Sequence, residues 1–185
     1  MIDDIMTELE ERFEKARQAL SRELSKIRTG RANPSILDRV RVEYYGTPTP
    51  LNQVAAVKAP EPRLLTVAPF DRTILGTIEK AIHASDLGLN PNSDGNIIRI
   101  PIPALTGERR EELAKQARRL GEDARIAIRG ARRDANDMLK SLQKDGDISE
   151  DEMHGGMADV QTSTDKAVAS IDQMVEDKEK QILEV

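Results

Sequence analysis

Residues 106–145 read TGERREELAKQARRLGEDARIAIRGARRDANDMLKSLQKD, and two different stripes run through them. Leu113, Ala117, Leu120, Ala124, Ala131, Ala135, Met138 and Leu142 recur at helical spacing and form one apolar face. Arg118, Arg125, Arg129, Arg132 and Arg133 recur at steps of 7, 4, 3 and 1. At 3.6 residues per turn these steps stay within roughly ±60° of one direction, about 130° away from the apolar stripe. The spacing predicts a long helix opening near Thr106, a plausible N-cap, and closing at Gly146. Such a helix has one face to bury and one face of cations, so it needs partner helices on one side only.

Those partners stand at the two ends of the chain. Ile2, Ile5, Leu9, Phe13, Ala16, Leu20, Leu24 and Ile27 step by 3 and 4, with acids early and bases late, matching the helix dipole. Gly30 and then Asn33-Pro34 end that helix. After Gly146, Ser149-x-x-Glu152 has the form of a capping box. It opens a third stripe of Met153, Met157, Val160, Ala167, Ile171, Met174 and Ile182. Gly155-Gly156, early in that helix, costs about 1 kcal/mol per glycine relative to alanine. Three single-striped helices predict a three-helix bundle.

The stretch between the first two helices has another character. All nine prolines lie between Pro34 and Pro103. Val40, Val42 and Tyr44 alternate with charged residues and predict a strand. Residues 46–50 read as a turn or loop, with short strands following near 52–58 and 63–68. Asp71 is placed to cap a helix reaching Ser85, and a last strand covers 97–102. The expected order is β-β-β-α-β. The fold class is therefore α+β: a long three-helix bundle of residues 1–30 plus 105–185, carrying an inserted β/α/β sandwich domain at 31–104. An insertion is joined by two strands of chain, here near Thr29–Ala32 and Pro103–Thr106. Such a double connection restricts motion to a swing about one axis.

The chain has 185 residues, no cysteine, no tryptophan, two tyrosines and two phenylalanines, and a formal net charge of −5. Disulfides, thiol catalysis and thiolate metal sites are excluded. The scarcity of aromatics argues against base stacking as the main grip on single-stranded nucleic acid and favours phosphate and shape recognition. No apolar run approaches the roughly 18–20 residues of a membrane span, and Met1 is followed by acids rather than a signal peptide, so a cytoplasmic protein is expected. Charge is uneven: residues 105–145 carry 11 bases and 8 acids, residues 146–185 carry 3 and 11.

A local cationic stripe on an acidic chain points to a polyanionic partner. The competing reading is a solvated face laced with pairs such as Glu122 with Arg118 and Arg125. Three features favour binding. The stripe is arginine, the better bidentate phosphate ligand; its acids are largely segregated from it; and Ile126 lies on its side. His83 and His154 are isolated. Asp145, Asp147, Glu150 and Asp151 lack a calcium-loop register, and no phosphate loop or nucleophile elbow occurs. No enzyme, metal or cofactor is expected.

Four segments carry a resemblance. Lys26-Ile27-Arg28-Thr29-Gly30-Arg31-Ala32, Val42-Glu43-Tyr44-Tyr45-Gly46-Thr47-Pro48-Thr49-Pro50-Leu51, Ala84 through Asn92, and Arg132-Arg133-Asp134-Ala135-Asn136-Asp137 closely resemble the bacterial ribosome recycling factor family, in order along essentially the whole chain. The resemblance implies an L-shaped, tRNA-sized monomer. It implies binding to the post-termination 70S ribosome on large-subunit ribosomal RNA, and subunit splitting with elongation factor G and GTP hydrolysis by that partner. It places RNA contacts at Arg110, Arg129 and Arg132, to which the stripe adds Arg118, Arg125 and Arg133. It places a hinge at Gly30, Arg31, Pro103, Ala104, Leu105 and Thr106. Two other classes stay open: a different helical RNA-binding factor, and a coiled-coil adaptor that binds only protein.

Overall fold

The computed structural model describes residues 1–184, and the chain divides into two units, Met1–Arg28 with Gly107–Glu184, and Thr29–Thr106. The first is the bundle. Its helices are α1 (Ile2–Ser25), α4 (Gly107–Asp145) and α5 (Glu150–Leu183). α1 buries Ile5, Leu9, Phe13, Leu20 and Leu24 along the stripe expected of it. Arg12 Nη1 donates to Asp134 Oδ2 at 2.8 Å, so α1 runs antiparallel to α4. Ser163 on α5 donates to Glu10, and Ile2 lies by Gly156, so α1 and α5 run parallel.

A four-residue corner joins α4 to α5. Gly146 sits at φ +82°. Its N–H donates to Gln143 O at 3.1 Å, and Asp147 N–H reaches back to Leu142 O at 2.9 Å. These are the two bonds of a Schellman stop, which needs a left-handed residue and so favours glycine. The capping box then starts α5. Glu152 N–H donates to Ser149 Oγ, and Ser149 N–H donates to Glu152 Oε2 at 2.7 Å. That backbone bond and the Ser149 hydroxyl hold the Glu152 carboxyl below its ordinary pKa. The chain therefore passes from α4 to α5 in four residues, with the Leu142 and Gln143 carbonyls and the Ser149 and Glu152 amides satisfied.

The α4 stripe differs in detail from its expectation. Met138 is 39% exposed, whereas Leu139 and Ile128 are fully buried together with Ala114 and Gly121. α4 is the middle helix and packs on α1 with one flank and on α5 with the other, so its buried sector is wider than a single stripe. At Gly121 an added Cβ would lie 2.5 Å from Val175 Cγ2, and at Gly156 3.1 Å from Leu139 Cδ2. Small residues at these crossings let α4 and α5 approach, which offsets the helix propensity lost at Gly156.

The second unit contains β1 (Arg41–Tyr44), β2 (Thr47–Pro50), a single helical turn α2 (Leu51–Val54), β3 (Ala55–Glu61), β4 (Leu64–Pro69), α3 (Leu75–Ala84), β5 (Asn92–Ser93) and β6 (Ile98–Pro101). β1 and β2 form one antiparallel pair; β3-β4-β6-β5 form an antiparallel sheet in that order. Leu65 faces Ile100 and Val67 faces Ile98 across β4 and β6, and all four are fully buried with Ile78 and Ile82 of α3. Asp71 Oδ1 accepts from Thr73 N–H at 2.9 Å and caps a 3-10 turn (Arg72–Ile74) that leads into α3.

Residues 47–50, expected as a turn or loop, are a strand. The turn is confined to Tyr45 and Gly46, at φ +49° and +75°, and Tyr44 pairs with Thr47 across it. In a two-residue hairpin the flanking pair exchanges hydrogen bonds and the pairs alternate thereafter. Pro48 and Pro50, opposite Glu43 and Arg41, then fall at non-bonded positions, where a missing N–H costs no ladder bond. The expected strand at 52–58 likewise begins three residues late, at Ala55, because Leu51–Val54 form α2.

Candidate nucleic-acid interface

The arginines of α4 share a face but not an environment. Arg118 Nε donates to Glu179 of α5, and its Nη1 lies 3.5 Å from Glu111. Arg125 Nε donates to Asp172 of α5 at 2.7 Å and its Nη1 to Glu122 at 3.0 Å; its side chain is only 21% exposed. The bond from Asp172, followed by that from Glu122, raises the Arg125 pKa further above its ordinary value. These two arginines close the seam between α4 and α5. Arg129 Nη1 donates to Glu122 Oε1 at 3.0 Å.

Glu122 therefore holds Arg125 and Arg129, not the Arg118 and Arg125 anticipated from spacing. The Arg129 bond first, then the Arg125 bond, pulls the Glu122 carboxyl below its ordinary pKa. A lowered folded pKa means that the pair contributes above the unfolded pKa and is lost as pH falls through the folded one. Near neutrality the pair is intact.

The end of the stripe nearest Gly146 is different. Arg132 Nη1 donates to Gln161 Oε1 at 3.1 Å, which is a neutral partner. Arg133 is exposed, with no ion pair to any described residue. Arg110, near the start of α4, is half-buried, with its Nε enclosed and unpartnered. Ile126 is 57% exposed beside the stripe. Arg129, Arg132 and Arg133 thus form a compact cationic group within five residues, where, among the described residues, only Arg129 meets a carboxylate. Sequence reasoning missed Asp172, Glu179 and Gln161, which lie 29 to 61 positions away; no local spacing could have paired them. Among the described residues no group of acids and histidines could hold a metal. Among those residues, too, no helix is long and apolar enough to cross a membrane.

The linker residues come together within the second unit. Gly30 is buried at φ +77°, and a Cβ there would lie 3.2 Å from Leu105 Cγ. Ala32 N–H donates to Pro62 O at 2.7 Å, and Ile102 N–H donates to Arg63 O at 2.8 Å. The incoming and outgoing chains are thus fastened to consecutive carbonyls of the β3–β4 turn. Arg31, Pro103, Ala104 and Thr106 are exposed and Leu105 is half-buried.

Together these features define a class: a three-helix bundle interrupted by a folded β/α/β unit, with arginines gathered on its middle helix. The family model for ribosome recycling factor matches residues 20–183. The ribosome-recycling factors of Bacillus licheniformis and Bacillus subtilis are each 55% identical to the chain over 185 residues, covering 100% of both chains. That of Listeria welshimeri is 51% identical over the same span. A solution structure of ribosome recycling factor matches with TM-score 0.76 at 36% identity, covering 100% of this chain and 98% of the other. A model of the T. thermophilus factor, bound with E. coli elongation factor G to the E. coli post-termination complex, matches with TM-score 0.64 at 45% identity over 99% of both chains. The chain belongs to the ribosome recycling factor family.

Proposed function

We propose that this chain binds the post-termination ribosome on the large subunit and, with elongation factor G and GTP hydrolysis by that partner, promotes subunit splitting. The observation that carries the reading is the cationic group Arg129, Arg132 and Arg133, which stands on a chain of net charge −5. Family membership supplies the substrate, and a 45%-identical relative is described on the post-termination complex with elongation factor G. In this reading the factor has no catalytic centre of its own, acts as a cytoplasmic monomer, and anchors on ribosomal RNA phosphates through α4, with Arg110, Arg118 and Arg125 flanking the anchor. Co-sedimentation with vacant 70S ribosomes and 50S subunits over a salt series tests it. Phosphate anchoring requires binding to the large subunit that weakens steeply with salt. Absence of sedimentation at low salt overturns the proposal and leaves a different RNA-binding factor or a protein-only adaptor.

The linkers Gly30–Arg31 and Pro103–Thr106 serve in this scheme as a double hinge through which the partner's push on the inserted unit reaches the bundle. Gly30→Pro tests it, because proline fixes φ near −65° where the native value is +77°. The variant should bind ribosomes as the wild type does and split them at least about tenfold more slowly, a barrier change of about 1.4 kcal/mol. Splitting at the wild-type rate in a light-scattering assay would count against the hinge.

A further inference from the structure

We infer that Gln161 of α5 is a positioning residue, which holds Arg132 as a fully charged, pre-aimed phosphate ligand. The inference rests on the reading of α4 as the RNA-anchoring face. Four arginines of the stripe make side-chain bonds, to Glu179, Asp172, Glu122 and Gln161, and they divide by the charge of their partner. Arg118, Arg125 and Arg129 end on carboxylates, so each is locally neutralised. Arg132 ends on an amide oxygen, so its position is fixed while its charge stays whole.

The amide can be oriented from its other bond. Gln161 Nε2 donates to Asp165 Oδ1 at 2.8 Å, one helical turn further along α5. A carboxylate accepts only, so the amide nitrogen must face Asp165 and the amide oxygen must face Arg132. The result is a relay from Asp165 through Gln161 to Arg132. It places the carboxylate one residue-length behind the cation instead of against it. Arg132 Nε is itself enclosed by the protein, which leaves the terminal nitrogens as the edge that meets a ligand. Fixing this long side chain before binding removes part of the rotamer entropy that an unrestrained arginine loses on contact.

The test is a double-mutant cycle on binding to vacant 70S ribosomes over a salt series, with thermal unfolding as a control. Arg132→Ala should weaken binding about tenfold or more and reduce the salt slope by about one. Gln161→Ala should weaken binding about threefold to tenfold, with the salt slope kept, because the cation is still present. In the Arg132→Ala background, Gln161→Ala should add nothing beyond about a factor of two. Gln161→Glu has the same shape but brings a carboxylate to Arg132, so it should weaken binding as far as Arg132→Ala and lower the slope with it. Unfolding midpoints should stay together throughout. If Gln161→Ala costs the same in both backgrounds, or nothing in either, the positioning role is wrong while the RNA face stands. If Arg132→Ala leaves both affinity and slope unchanged, the RNA face itself is wrong at this residue, and the positioning role falls with it.

Discussion

Arg132→Glu should lower affinity for the 50S subunit on the order of a hundredfold near physiological salt, and shift the unfolding midpoint by less than about 2 °C. A hydrogen bond to a charged group contributes about 1.5–3 kcal/mol, roughly tenfold to more than a hundredfold in binding, and a carboxylate facing phosphates adds repulsion. The structural loss is small, because the side chain's bond runs to a neutral, exposed glutamine. Arg132 is half-buried but lies outside the core and outside any ion pair, and substitutions away from such features stay within about 0.5 kcal/mol, or about 2 °C for a chain of this size. Arg125→Glu is the informative contrast. That guanidinium joins Asp172 and Glu122 and is only 21% exposed, so its reversal should show in unfolding as well as in binding. Sedimentation and circular dichroism melts on the two variants separate anchoring from architecture. Equal melting losses for both would assign Arg132 a structural part.

Phe13→Ala should destabilise the bundle by about 3–5 kcal/mol, with a fall in melting temperature of about 6–20 °C. Phe13 is the largest side chain fully enclosed in the bundle, 1% exposed. It lies on the buried stripe of α1, which packs on α4, and the buried residues of α4 are mostly small: Ala114, Ala117, Gly121, Ala124, Ala131 and Ala135 beside Leu113, Ile128 and Leu139. Side chains as short as alanine cannot reach into the space an aromatic ring leaves, so much of the cavity should persist. Phe70→Ala, at a site 70% exposed, should change stability by no more than about 0.5 kcal/mol. A loss below about 1 kcal/mol at Phe13 would mean that the helices close onto the gap.

Much of the bundle was legible from spacing, since a 3.6-residue period and helix-end chemistry are local. The stop at Gly146 and the capping box at Ser149 both appear as read, while Asp71 caps the 3-10 turn that leads into α3 and not α3 itself. Three things were not legible. The buried flank of α4 could not be drawn from one stripe, because a middle helix has two neighbours; hence Met138 was expected inside and Leu139 is there instead. The strand at Thr47–Pro50 was hidden by its prolines, whose compatibility depends on the pairing register and not on composition. The partition of the arginines between seam and surface depends on Gln161, Asp172 and Glu179, which the helix-to-helix register brings opposite them.

The interruption of the bundle also sets an order of events during synthesis. About 80 residues separate the end of α1 from the start of α4, so at about 5–20 residues per second α1 waits several seconds for its first partner. The inserted unit needs no such wait, because its core draws only on residues between Ala32 and Ile102. It can close while α4 is still being made. When it does, its two ends already lie side by side on Pro62 and Arg63. Closure of the smaller unit thereby replaces a loop of about 80 free residues with a short bridge and lowers the entropy cost of bringing α1 to α4. The two fastened ends of the inserted unit would thus serve the nascent chain as a splint.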